Sequence, residues 1–438
     1  MRATTAGPVI KPRPGQLAVV GWASVAAVMT APGQTAAVSV FTDPLIAALQ
    51  ISRTQLSASY LIGTLLGAAA MPWVGRALDR YGVRPLMIGV GLLFGAVLVG
   101  LGFATSLFTL TAGFVGIRMC GQGALGLVAT TLVAVHVSTR RGMMLGVTAG
   151  VGSAGVSMAP LVLERLVSQL GIQTMWIIEG LAVWSLVVPI GIVGLRRLPR
   201  PDRTRTEIPM GTDCSAEPDA VGPRWTARTA VRTAMFWAIA AGLATSGMVT
   251  TGLNFHQIAL LGERGLTATE AAANFIPQTV AALIGTLLIG ASADIVAPKF
   301  GLALAMVALS VALLTTAVIT PGATALGYGL VLGLSGGAIR SIEAAAFAHY
   351  FGTSHIGAIR GIATTISVGS TAFGPLAVAL GHDIVGTYGT TMAMLAPIPL
   401  AVAVFALVAP APRTGRRYRQ CVGVRRPTAR RERVHEAG

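Results

Sequence analysis

Twelve apolar runs, each long enough to cross a bilayer, dominate this chain. They fall at 17–41, 56–75, 85–105, 108–135, 142–163, 174–195, 233–255, 270–292, 300–319, 322–348, 357–379 and 388–410. A helix of about 20 apolar residues spans a hydrocarbon core of roughly 30 Å. Lipid offers the backbone no hydrogen-bond partners, so such segments cross as helices. Charged residues make up 11% of the 438, against roughly 25% in an average soluble domain. A water-soluble globule with so little charge would lack a surface. Glycine is abundant, at 54 residues, which suits close helix packing in lipid.

The second constraint is an internal repeat. An offset of 215 residues pairs Gly75 with Gly290, Asp79 with Asp294 and Arg84 with Lys299. The same offset relates Gly121 to Gly336, Gly142 to Gly357, Gly146 to Gly361, Pro160 to Pro375 and Gly171 to Gly386. It is close to half the chain, and repeats on this scale define architecture. The expected fold is therefore an all-α membrane protein with twelve transmembrane helices in two pseudo-symmetric six-helix bundles. Both halves hold six spans, so the repeat is parallel, about an axis along the membrane normal.

The net charge of +16 could suggest nucleic acid, but its placement points to lipid. With the N-terminus in the cytoplasm, the inside segments carry 27 basic residues and the outside loops three, Arg53, Arg165 and Arg264. Arg118 and Arg340 lie within spans. That asymmetry is the positive-inside rule. It predicts a multi-pass protein of the cytoplasmic (inner) membrane with both termini cytoplasmic. The basic segments then face anionic lipid, and no nucleic-acid partner is expected. The organisation reads as a tail at 1–16, a bundle at 17–195, a solvated linker at 196–232, a second bundle at 233–410 and a basic tail at 411–438. The first apolar run is too long for a signal peptide and reads as an uncleaved helix. Cys120 sits in a span, and Cys214 and Cys421 face the cytoplasm, so no disulfide framework is expected.

Residues 75–84 form the loop between the second and third spans. Gly75, Asp79, Arg80, Gly82 and Arg84 fit the pattern G-x-x-x-D-R-x-G-x-[RK], with Val83 where many examples are basic. The weaker copy keeps Gly290, Asp294 and Lys299 but has Ile295 in place of Arg80. On these residues the chain resembles the major facilitator superfamily over about residues 17–410. The resemblance implies that this loop is a cytoplasmic gate latch. Arg118, before Gly121-Gln122-Gly123, partly resembles the R-x-x-x-G motif of the family's fourth span. There the arginine is tied to substrate or proton coupling. Gly146, Gly155 and Pro160 partly resemble the antiporter signature, which fails at Leu163 and Glu164, so antiport is not inferred. Residues 31–35, 38–41, 52–57, 350–352 and 357–361 look similar to the oxalate/formate antiporter and monocarboxylate transporter branches. The acidic signature typical of the first span of monocarboxylate carriers is missing around Gly21 and Trp22.

Several polar residues lie inside apolar spans, where a charge costs roughly 2.5–3.5 kcal/mol or more unless it meets water or a partner. Arg118 falls near mid-membrane and either faces a wet cavity or bonds backbone carbonyls between helices. Arg340 and Glu343 share a helix face and can pair. Glu343 could also be a protonatable carboxylate at the cavity floor. Glu179 follows Trp176, which suggests a shallow, interfacial position. His256 reads as interfacial at the end of the seventh span, with a substrate contact as its other reading. Gln278 follows Pro277, a residue that can kink a helix and open polar backbone to a cavity. Gln34 and Tyr60 complete the polar cavity candidates.

No cluster has metal-ligand spacing, and neither a P-loop nor a nucleophile elbow occurs. No cofactor and no enzymatic activity are expected. The leading expectation is a monomeric secondary transporter that moves a small organic anion by alternating access, with Arg118 and Arg340 as counter-charge. The alternative is proton-coupled efflux of a drug or natural product, with Glu343 or Glu179 carrying the coupling proton. A non-transporting membrane sensor is a third class, disfavoured because no sensor or output domain is appended.

Overall fold

The computed structural model describes residues 14–137, 141–197, 225–292, 296–352 and 356–412. Asp294, most of the linker and of the basic tail, Cys214 and Cys421 lie outside these residues. Among the described residues all regular structure is helical, and twelve helices are long and apolar enough to cross a membrane. The protein is thus a multi-pass membrane protein with two six-helix halves.

The first half opens with α1 (Pro14–Val28) and α2 (Thr35–Leu49), one span interrupted by a tight turn at Ala31–Gly33. It continues through α3 (Arg53–Tyr81) and α4 (Val83–Leu101). The fourth span is α5 (Leu107–Ile117) and α6 (Gly126–His136), joined through a widened π-helical stretch, Arg118–Leu125. The half closes with α7 (Arg141–Leu170) and α8 (Ile172–Ile192). A single turn, α9 (Ala227–Ala230), precedes the second half and follows Trp225, whose ring lies edge-on to Phe351. The second half comprises α10 (Ala234–Gly262), a span formed by α11 (Ala268–Ala273) and α12 (Phe275–Ser292), and α13 (Pro298–Thr315). It ends with α14 (Ala323–Phe351), α15 (Ile356–Val385), and α16 (Tyr388–Leu395) running into α17 (Pro397–Val408).

The 215-residue offset recurs in the helices themselves. It separates α7 from α15 at both ends (356 − 141 and 385 − 170) and holds to about a residue for α4 against α13. Gly171 and Gly386, paired by that offset, both adopt a left-handed backbone, with φ of 79° and 83°. A side chain there would be strained, so each half needs glycine to turn into its last span. Between α3 and α4 the turn is made by Gly82, with φ 85°, and not by Gly75, which lies in open space within α3. Helix starts are fixed by capping boxes such as Ser52 with Gln55 and Thr267 with Glu270, which satisfy otherwise orphaned backbone donors.

Each half has its own apolar core. Small residues set the helix contacts: a Cβ on Gly333 or Gly337 of α14 would overlap the carbonyl oxygens of Gln278 or Ala282 on α12. The first span runs eight residues beyond its expected end at 41, because Asp43 near its tip is neutralised by Arg53 at 2.7 Å. The chain leaves the first half and enters the second at one end of the bundle, here the linker end. At the opposite end the halves meet. Thr54 bonds Asp383, Thr269 bonds Glu164, and the Arg53 guanidinium stands 5.8 Å from the centre of the Tyr388 ring. Nearer mid-bundle, Ser157 bonds Thr279, and Phe255 of α10 enters the first half's core 4.7 Å from the Tyr60 ring.

Candidate functional site

Between the halves lies a cavity of about 500 Å³. The Tyr60–Phe255 contact and the bonds at the opposite end close it there, and its walls run from mid-bundle toward the linker end. Both halves contribute: Thr30, Gln34 and Gln122 from the first, Asn254, Gln278 and Arg340 from the second. Hydroxyls of Thr130, Ser153 and Thr250 add to the wall. Arg340 is the one charged side chain among the described lining residues, and it is exposed to the cavity.

The wall at Gln278 is pre-arranged. Gln278 Nε2 donates to Gln257 Oε1 at 2.7 Å and to Asn274 Oδ1 at 3.1 Å. Gln257 Nε2 in turn donates to the Ala271 carbonyl, and Asn274 Nδ2 to that of Ala325. Gln278 therefore bonds a neighbouring helix, through Gln257 of α10, and faces the cavity as well. Gln34 sits just after the Ala31–Gly33 turn, its Nε2 3.4 Å from Thr30 Oγ1.

Arg118 is placed differently from the counter-charge expectation. It does not line the cavity and is 4% exposed. Its Nε donates to Thr64 Oγ1 at 3.1 Å, and one terminal nitrogen donates to the Gly33 carbonyl at 3.1 Å and reaches Thr35 Oγ1 at 3.5 Å. The guanidinium also stands 4.8 Å from the centre of the Tyr60 ring, and the Tyr60 hydroxyl bonds Thr35 at 2.7 Å. Gly33 permits this: a Cβ there would come 2.5 Å from the Ile117 carbonyl oxygen and 2.7 Å from the Gly121 Cα. The broken first span and the π-helical stretch thus approach backbone to backbone, and Arg118 stitches them. This is the interhelical reading of that arginine. Tyr60, held from behind, is the ring against which Phe255 closes.

Glu343, Glu179 and His256 lie off the cavity wall. Arg340 and Glu343 do not form an ion pair; Glu343 instead accepts from Thr364 Oγ1 of α15 at 3.4 Å. Arg340 lines the cavity, whereas Glu343 is turned to α15. Glu179 is buried in the first half, 7% exposed, and its Oε2 has no partner among the described residues. Trp176 is fully buried and stacks on Phe41 with centroids 3.9 Å apart, so it marks core rather than interface. His256 is also core. It is fully buried well before the end of α10, with Nε2 2.9 Å from the Pro375 carbonyl and Nδ1 3.3 Å from the Tyr388 hydroxyl.

Of the gating pattern, Arg84 bonds within its own half. Arg84 donates to the carbonyls of Gly191 at 3.2 Å and Ile192 at 3.4 Å, neutralising the C-terminal end of α8. Arg80 lies over the Tyr81 ring. Gly290 makes the close approach expected of its kind, with Ser341 Oγ 3.3 Å from where a Cβ would stand. The Lys299 amide donates to the Tyr350 hydroxyl at 3.3 Å. Asn254, Gln122 and Thr250 were not singled out from the sequence. Their signal is an amide or hydroxyl in the middle of an apolar run, weak by itself because such groups equally often bond a neighbouring helix.

Two six-helix halves around one central cavity give the shape against which known proteins can be compared. The Major Facilitator Superfamily profile matches residues 23–375, most of the chain. The chain belongs to the Major Facilitator Superfamily. A bacterial homologue of the human lysosomal transporter Spinster, solved inward-facing and unoccupied, matches with a TM-score of 0.63 at 16% identity. That match covers 91% of this chain and 96% of the other. The same homologue in its inward-facing, occupied form gives a TM-score of 0.60 at 15% identity, covering 90% and 94%. At these identities the likeness is one of fold. A triacylglyceride transporter of Mycolicibacterium hassiacum is 33% identical over 226 residues, 48% of this chain. The match spans 36% of that relative's length, so it covers about a third of it.

Proposed function

We propose that this transporter carries a small organic anion across the cytoplasmic membrane by alternating access, with both termini in the cytoplasm. One observation carries the reading: Arg340 is the charged side chain of the cavity, and no carboxylate stands among the described residues lining it. A cation with no ion-pair partner among the described residues, set in a low-dielectric cleft, attracts an anion and repels a cation. The cavity sits between the halves, where such folds place their substrate. Closure at the end remote from the linker, together with walls running toward the linker, fits an inward-facing state once the linker is cytoplasmic. Arg118 supports transport indirectly in this reading, by holding Tyr60 at the closed end.

The test is counterflow in proteoliposomes against a panel of small carboxylates, with neutral and cationic molecules of similar size alongside. Exchange of one or more carboxylates, lost in Arg340→Gln, is expected. Exchange confined to neutral or cationic compounds would reject the anion assignment. Proton-coupled export of an amphipathic molecule is the second reading, favoured by Glu179, whose Oε2 is buried in a span with no partner among the described residues. Under that reading transport stops when the proton gradient is collapsed, and Glu179→Gln uncouples it.

A further inference from the structure

The 215-residue offset also relates contacts between the halves. Ser52 and Gln55, the capping box that starts α3, correspond to Thr267 and Glu270, the box that starts α11 (267 − 52 and 270 − 55). Thr54 and Thr269 are therefore mates, each the second residue of its helix. Each donates its hydroxyl to a carboxylate of the opposite half, Thr54 to Asp383 of α15 and Thr269 to Glu164 of α7. The carboxylates themselves are not mates, since Asp383 corresponds to Ser168 and Glu164 to Ala379. The closed end thus carries the same hydroxyl-to-carboxylate bond at two corners, α3 with α15 and α7 with α11.

Deeper in, the two corners differ. Ser157 of α7 bonds Thr279 of α12 across the halves. Ser157 lies thirteen residues from the Leu170 end of α7 (170 − 157) and Thr279 eleven from Ala268 (279 − 268), so about 20 and 17 Å below the closed end at roughly 1.5 Å per residue. That is near the middle of both spans. The mates of this pair at the other corner are Ala372 of α15 and Thr64 of α3. Alanine offers no side-chain hydrogen bond, and Thr64 accepts from Arg118 within its own half. A hydroxyl tie at mid-depth is therefore built at one corner and ruled out by composition at the other. When two rigid bodies rock, points far from the axis separate most and points near it hardly move. A bond at mid-depth can survive a rotation that parts both bonds at the tip.

We propose that Ser157 and Thr279 are positioning residues of the transport cycle. They form a pivot that keeps α7 on α12, while Thr54–Asp383 and Thr269–Glu164 act as paired outer locks. At mid-depth, opening then moves α3 from α15 more than α7 from α12. This rests on the alternating-access reading above and adds where its axis lies. The locks are charge-assisted bonds, stronger than a bond between two neutral groups, and each joins a threonine fixed by a capping box to a carboxylate near a helix end.

The test measures distances between spin labels by EPR on the full-length protein in liposomes, with Cys120, Cys214 and Cys421 replaced by alanine. One label pair, Met158→Cys with Val280→Cys, sits on exposed positions beside the pivot. A second, Leu65→Cys with Phe373→Cys, occupies the mates of those positions at the other corner, also exposed (280 − 65 and 373 − 158). A third, Gln50→Cys with Thr387→Cys, reports the outer end. Thr54→Val with Thr269→Val removes both locks with little change of shape. It is expected to raise the population with a long Gln50–Thr387 distance about tenfold, and either single variant should give a smaller rise. In the double variant the Leu65–Phe373 distance should lengthen while Met158–Val280 keeps one short distance. Adding Ser157→Ala should let Met158–Val280 lengthen too, and thermal unfolding verifies that each variant folds. Equal lengthening of the two mid-depth pairs, or a Met158–Val280 distance indifferent to Ser157→Ala, would overturn the pivot and leave alternating access intact. An unchanged Gln50–Thr387 distribution would overturn the locks, and counterflow then decides alternating access separately.

Discussion

The two arginines within spans show how one residue type takes two roles. Arg118 has three oxygen partners and an aromatic face, all from its own half, and little contact with solvent. Arg340 has the cavity. Arg118→Gln should therefore act on stability first, by about 1–3 kcal/mol, since it leaves Thr64 and the Gly33 carbonyl short of a donor. Thermal unfolding in detergent would show a lowered midpoint. Arg340→Gln should leave that midpoint nearly unchanged and reduce anion binding instead. If the two variants behave alike in both measurements, the assignment of roles is wrong. His256→Ala belongs with Arg118: it removes partners of the Pro375 carbonyl and the Tyr388 hydroxyl and should destabilise by about 1–2 kcal/mol. At this scale the sequence was read least well. It marks which polar residues are in spans, but not which way each faces. The faces of Glu179 and His256 are set by neighbours far away in the chain, such as Pro375, and one sequence carries no record of those contacts.

At the scale of elements, glycine placement decides how closely helices can approach. Gly336 and Gly337 are adjacent on α14 and make a controlled pair. A Cβ on Gly337 would overlap the Ala282 carbonyl oxygen on α12, whereas one on Gly336 meets nothing within 4 Å. Gly337→Ala is expected to lower stability by about 1–3 kcal/mol, and Gly336→Ala to be neutral or slightly stabilising. Equal effects in thermal unfolding would contradict the packing described for α12 and α14. Gly171→Ala and Gly386→Ala should each cost about 1–2 kcal/mol from backbone strain alone. Elements were largely legible beforehand, because apolar length and glycine or proline punctuation are local signals. The offset between Gly171 and Gly386 was read from letters and reappears as a shared left-handed turn. The π-helical stretch at Arg118–Leu125 was not legible, because it arises where Gly33 and Gly121 let two spans touch.

On the scale of the whole molecule, twelve apolar runs and one repeat were enough to anticipate two six-helix halves. The cavity between them could be anticipated in position but not in composition, since its wall is assembled from residues hundreds of positions apart. The central claim is that these halves rock about that cavity, opening the end at which Thr54 meets Asp383. Cysteines at these two positions, Thr54→Cys with Asp383→Cys, test it most directly through counterflow before and after oxidation to a disulfide. Transport should stop when the pair is cross-linked and return when the disulfide is reduced, while each single variant transports under both conditions. Undiminished transport by the fully cross-linked protein would contradict the account.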